Sequence, residues 1–247
     1  MRKYSFLLPL ICVNFWQCTK SSSAAVSSAD GQGGSLARFA VVGNYIYAVD
    51  DQQLHVWDIR DGANPVEIKK IAVGFSIETI YPLNDKLFLG SSSAVYIFDI
   101  SDPSDPHKLS TAISPSTLRH CDPVVAKDTV AFATLRSNGP CGGIRSILAV
   151  YDIRDISNPV EKSSLYFPEP YGLGYSGNIL YVCDKELGLV MLDISDAWYP
   201  VQIGSVRDGD YVDVIPYGSV LICWTSDGMI LYNISDKRNP SLIAKIN

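Results

Sequence analysis

Apolar residues in this chain come in short runs, alternating or continuous, separated by turn residues. Ala40–Val42 leads through Gly43-Asn44 into Tyr45–Val49, and Leu54–Ile59, the Asp61–Pro65 turn and Val66–Val73 follow. A period of two bounded by Gly, Asn, Asp and Pro predicts β-strands. Comparable pairs at Asn84-Asp85, Lys127-Asp128, Gly177-Asn178 and Tyr217-Gly218 predict tight hairpins needing positive φ. No segment has a helical period.

The pattern recurs. Val56–Pro65 (VWDIRDGANP), Ile97–Pro106 (IFDISDPSDP), Val150–Pro159 (VYDIRDISNP), Met191–Pro200 (MLDISDAWYP) and Leu231–Pro240 (LYNISDKRNP) align without gaps. Their third positions, Asp58, Asp99, Asp152, Asp193 and Asn233, are 41, 53, 41 and 40 residues apart. A period near 40 with four short strands per repeat predicts an all-β, five-bladed β-propeller with four antiparallel strands per blade. The expected blades are Leu36–Val73, Ile77–Ile113, Asp122–Phe167, Tyr171–Val206 and Tyr211–Asn247. No strand is left over to complete a blade with the opposite terminus. Closure should therefore depend on packing between blades one and five.

Each motif has a mechanical reading. Its second aspartate (Asp61, Asp102, Asp155, Asp196, Asp236) can accept backbone amides of the following turn, and its proline fixes φ at the next strand. A rim of carboxylates binding cations is the rival reading.

The N-terminus is an address. Arg2 and Lys3 precede an apolar stretch from Tyr4 to Trp16, too short to span a bilayer and suited to secretion. A cysteine, Cys18, and the Ser/Ala/Gly-rich stretch Ser21–Ser35 follow, which resembles a bacterial lipoprotein signal. That resemblance implies a signal peptide over residues 1–17, lipidation of Cys18, and a flexible tether over 18–35 ahead of a propeller over 36–247. The implied partner is a membrane, reached through the lipid anchor, and the implied place is the outer membrane, on its periplasmic or surface face. Ordinary secretion with cleavage near Ala24 is the alternative. The repeats themselves resemble the LVIVD repeat of secreted bacterial β-propellers, from Leu36 to the end of the chain. The resemblance implies a surface or periplasmic propeller without an established catalytic residue. Asn233 departs from the pattern.

Composition removes other functions. The chain has 247 residues and 47% apolar content, too much for disorder. Without Arg2 and Lys3, 18 basic residues face 26 acidic ones, a charge of −8, so no nucleic-acid partner is expected. No cofactor motif occurs: no HExxH, Walker loop, GxSxG or CxxC.

Four cysteines lie in the body. Cys183 and Cys223 each sit ten residues before their motif's third position, share a repeat slot with Val49 and Gly90, and read as buried free thiols. As equivalents in neighbouring blades they should lie too far apart to bridge. Cys121 opens blade three and Cys141 lies in its inserted loop, Arg136–Ser146; an oxidising compartment would join them as a disulfide. A metal site using His120 is the alternative.

Aligned inner strands place Glu78, Asp122, Glu169, Asp210 and Asp213 at one end of their blades. Arg38, Arg119, His120, Tyr171 and Tyr211 fall at similar height. All should border the mouth of a central channel. The reading is a non-enzymatic propeller that binds an envelope protein, glycan or small ligand at the mouth and blade-three loop. Paired carboxylates leave a glycoside hydrolase or lyase as the alternative, and a solvated acidic rim as the plainest one.

Overall fold

The computed structural model describes residues 33–91, 94–112, 123–137 and 145–247. Among them are twenty strands in five antiparallel sheets of four, each in simple meander order. Blade one is β1 (Phe39–Val42), β2 (Tyr45–Val49), β3 (Gln53–Asp58) and β4 (Val66–Ala72). Blade two is β5 (Ile77–Leu83), β6 (Lys86–Ser91), β7 (Val95–Asp99) and β8 (His107–Ala112). Blade three is β9 (Val124–Lys127), β10 (Val130–Leu135), β11 (Ile147–Asp152) and β12 (Val160–Tyr166). Blade four is β13 (Pro170–Ser176), β14 (Ile179–Asp184), β15 (Gly188–Asp193) and β16 (Val201–Val206). Blade five is β17 (Tyr211–Tyr217), β18 (Val220–Thr225), β19 (Gly228–Asn233) and β20 (Ser241–Ile246).

The first hairpin of every blade has a two-residue turn whose leading residue takes positive φ: Gly43, Asn84, Asp128, Gly177 and Gly218. Two turns lie one residue later than their sequences suggest, at Asp128-Thr129 and Gly218-Ser219. Lys127 and Tyr217 instead pair as the last residues of their strands.

The motif is one repeated piece of backbone chemistry. The second aspartate accepts the amide two residues on at 3.0–3.1 Å, from Ala63, Ser104, Ser157, Trp198 and Arg238 in turn. The first position does the same, including Asn233, whose Oδ1 accepts Ser235 N at 2.8 Å. An amide oxygen serves as well as a carboxylate there, so Asn is tolerated. The isoleucine between them donates its N–H to the carbonyl of the first-hairpin turn in all five blades, at 2.8–2.9 Å. A register shift sits between the first two residues of the motif in every blade, at Val56/Trp57, Ile97/Phe98, Val150/Tyr151, Met191/Leu192 and Leu231/Tyr232. Such bulges twist the outer strand.

Four apolar seams join the blades in chain order. Seam one–two buries Tyr47, Val49, Leu54 and Val56 against Ile80, Leu87, Leu89 and Phe98. Seams two–three and three–four are built from the equivalent positions. Seam four–five joins Tyr181, Cys183, Leu189 and Met191 to Val214, Leu221, Cys223, Ile230 and Tyr232. Among the described residues no such core joins blades five and one, which corrects the expected closure. There Trp224 and Met229 are 59% and 42% exposed, and Phe39 opposite is 59% exposed.

The ring is instead fastened at its axis. Ala37 N donates to Gly34 O at 3.0 Å, closing a turn. Ser35 Oγ donates to Asp213 Oδ1 at 3.1 Å and accepts Leu173 N at 2.7 Å, while Leu36 N donates to Asp213 Oδ2 at 3.2 Å. Gly34 and Ser35, assigned by sequence to the tether, are thus buried parts of the body.

Cys183 and Cys223 are buried free thiols but not equivalents, because the hairpin after Cys183 is one residue longer. The shift turns Cys183 toward blade five and Cys223 toward blade four, so both line the same seam. Burial raises the Cys223 thiol to about 12 and Cys183 well above its ordinary value. Cys18, and Cys121 and Cys141 with their expected bridge, lie outside the described residues.

Candidate functional site

The inner strands bring part of the expected mouth together. Arg38 precedes β1, and its Nη2 donates to Ile77 O at 3.2 Å. Glu78 follows in β5. Burial raises its pKa, and the positive charges of Arg136 and Arg38 oppose that rise. Arg136 follows β10 and lies over the Tyr171 ring, 4.2 Å from guanidinium carbon to centroid. The Tyr171 hydroxyl donates to Glu169 Oε1 at 3.0 Å, and Lys185 Nζ stands 3.8 Å from that oxygen. Four blades thereby supply one charged cluster. His120 and Asp122 lie outside the described residues, as does Arg119.

Two expected members are elsewhere. Tyr211 is 1% exposed, lines seam four–five, and shares a 2.6 Å hydrogen bond with Tyr232 Oη. Burial raises its phenol to about 12, so it stays protonated and structural. Asp213 is buried in the axis, where both oxygens are taken by Ser35, Leu36 and the Val214 amide. Burial lifts it to about 6 against those hydrogen bonds. Exchangeable ligands do not reach a carboxylate so occupied.

Among the described residues, an axial cavity at the hairpin end of the inner strands, lined by Gly33, Tyr81, Val125, Leu173 and Pro216, measures about 70 Å³. That is room for a few waters. Beside it β13 and β17 approach closely. A Cβ at Gly172 would lie 2.8 Å from Asp213 Cα, and one at Gly174 would lie 2.8 Å from Val214 O.

Arg136 is the member that sequence reasoning missed. It was legible only as the residue where blade three departs from the repeat period. Its Nε is buried and has no hydrogen-bond partner among the described residues. A second unforeseen cluster lies on blade one, where His55 Nδ1 is 2.6 Å from Glu67 Oε1 and Nε2 is 3.0 Å from Asp50 Oδ2. These bonds raise the imidazole pKa. Both ring nitrogens are engaged, which leaves His55 no free lone pair for general-base chemistry.

The comparisons match the architecture. The LVIVD repeat model matches residues 33–73 and 173–208. No curated protein matches the sequence. A functionally unknown protein from Desulfotomaculum acetoxidans is similar in structure at a TM-score of 0.69 and 10% identity, over 84% of this chain and 68% of that one. The periplasmic gluconolactonase PpgL of Pseudomonas aeruginosa follows at 0.62 and 13%, over 83% and 67%. A nidogen/laminin complex matches at 0.57 and 14%, over 83% and 76%. The chain spans about two thirds of the length of such structures, 64% in one and 68% in another. At these identities the likeness shows the fold alone. Motif, blade order and neighbours agree: this chain is a five-bladed β-propeller in which two segments match the LVIVD repeat.

Proposed function

We propose that the protein is a non-enzymatic, lipid-anchored extracytoplasmic propeller. It binds a protein or small ligand through an acceptor group, foremost a carboxylate, at the Arg38–Glu78–Arg136–Tyr171 mouth. Arg136 opens the expected blade-three insertion. The observation that carries this reading is Arg136: its buried Nε lacks an acceptor among the described residues, and Tyr171 holds its plane. A buried donor without a partner costs about 1–3 kcal/mol, which a ligand acceptor would recover. Glu78 and Glu169 are held beside cations or a phenol, an arrangement suited to positioning. The nidogen/laminin neighbour is a protein complex built on this architecture, in line with a protein partner. Envelope placement rests on the leader and Cys18.

The test is calorimetry with an acidic peptide and a glucuronate-bearing oligosaccharide. Wild-type binding of either, weakened about tenfold or more by Arg136→Met, is the expected result. Equal affinity in the variant would remove the mouth from the site. A carbohydrate-active enzyme using the mouth carboxylates is the second reading, favoured by the gluconolactonase neighbour and by the raised pKa of Glu78. It predicts turnover on lactones or glycans that Glu78→Gln abolishes.

A further inference from the structure

The two unmated faces of the ring are copies of faces that mate elsewhere in the chain. Strand register equates Val220, Ile222, Trp224, Met229 and Leu231 of blade five with Ile179, Tyr181, Cys183, Leu189 and Met191 of blade four. The blade-four set is at most 4% exposed, sealed by blade five. On the other side, Phe39, Ile46, Ala48, His55 and Trp57 of blade one correspond to Val214, Leu221, Cys223, Ile230 and Tyr232. Those five are at most 4% exposed, whereas none of the blade-one set is buried. Ile59 agrees: its counterparts Ile100, Ile153, Ile194 and Ile234 pack on the preceding blade and are buried, while Ile59 stays half-buried. Beside the blade-five face, Tyr217 and Ile246 extend the exposed apolar surface.

We propose that these faces mate between molecules. The occupant of the blade-five face is the blade-one face of a second copy of this chain, continuing the stacking order that runs through the four internal seams. The two surfaces suit each other because one pattern, apolar in every blade except at His55, where Glu67 and Asp50 take up both ring nitrogens, already forms this contact within the chain. An exposed apolar surface of this kind marks an association site. The contact is head-to-tail, so each copy offers one face of each kind.

Sedimentation velocity on the mature chain over a wide concentration range is the test, with Trp224→Glu and Phe39→Glu as variants. Both positions are more than half exposed, so melting curves should match wild type. Wild type should exceed monomer mass as concentration rises, and each variant alone should sediment as a monomer. An equimolar mixture should recover a dimer, because one variant keeps an intact blade-one face and the other an intact blade-five face. Mixing that yields only monomers overturns the proposal. So does a wild type that stays monomeric throughout. Self-association of Phe39→Glu alone would assign the surface to a contact between two blade-five faces and overturn it equally.

Discussion

Seam four–five and the gap between blades five and one use the same repeat positions and end differently. In the seam, Leu189 is fully buried; at the corresponding place on blade five, Met229 is 42% exposed. Tyr181 reaches across its seam to donate to Lys237 O at 2.8 Å, as Tyr47 does to Pro103 O. Blade five has Ile222 in that slot and no hydroxyl to offer. Blade two's Ser110 and blade three's Ser163 likewise bond to carbonyls of the next blade, Ile156 O and Trp198 O, where blade five carries Ala244. Strand formation and blade mating are therefore separable. The hairpins and motif turns form in all five blades, whereas mating also needs a neighbour and polar clasps at its rim.

That contrast can be broken at several points. The largest effect should come from Tyr181→Ala, costing about 3–5 kcal/mol by denaturant titration, since it opens a cavity and removes a clasp. Leu189→Ala should cost about 2–5 kcal/mol, against under about 0.5 for Met229→Ala in the isolated monomer. Equal losses at the two positions would mean that the gap is closed in solution. Asp213→Ala should cost about 2 kcal/mol, because it strands Ser35 and the Leu36 amide in the axis.

Acid titration sharpens the comparison further, because the two regions respond in opposite directions. Asp213 is raised to about 6, so it binds its proton more tightly folded than unfolded. Its stabilising share is full below the ordinary carboxylate range and is lost as pH rises through 6. The motif carboxylates Asp58, Asp99, Asp152 and Asp193 are lowered by turn hydroxyls, amides and Arg or Lys neighbours. Their share is present above the ordinary carboxylate range and is lost as pH falls through their depressed values. Stability measured from pH 7 to pH 4 should lose its Asp213 component in Asp213→Ala, leaving a profile that only falls in acid. The smallest effect is chemical: Cys183 and Cys223 should resist thiol reagents at pH 8 until the protein unfolds, since burial keeps both protonated.

The fold was legible because its signal is redundant. Each motif states the same turn twice, and five copies fix strand count and blade order. The site was less legible. Height along an inner strand says which end of a blade a residue occupies, but not which way its side chain turns. Glu78 and Tyr171 turn to the mouth, Tyr211 into a seam and Asp213 into the axis. A one-residue difference in hairpin length placed Cys183 and Cys223 on one seam, and equal spacing to the motif hid it. The missing closure was hidden too, since the blade-five sequence is as apolar as its siblings, and Ile222 and Ala244 read as absent clasps only once the structure shows what Tyr181 and Ser163 do in the equivalent slots.

Each ten-residue motif satisfies its own backbone: its two side-chain caps, its isoleucine amide and its bulge all find partners within the same blade. Nothing in that wiring depends on how many siblings stand around it. Duplication or deletion of a whole unit would leave the remaining turns intact and change the width of the opening. Selection could thereby adjust the size of the assembly without rebuilding any of its parts.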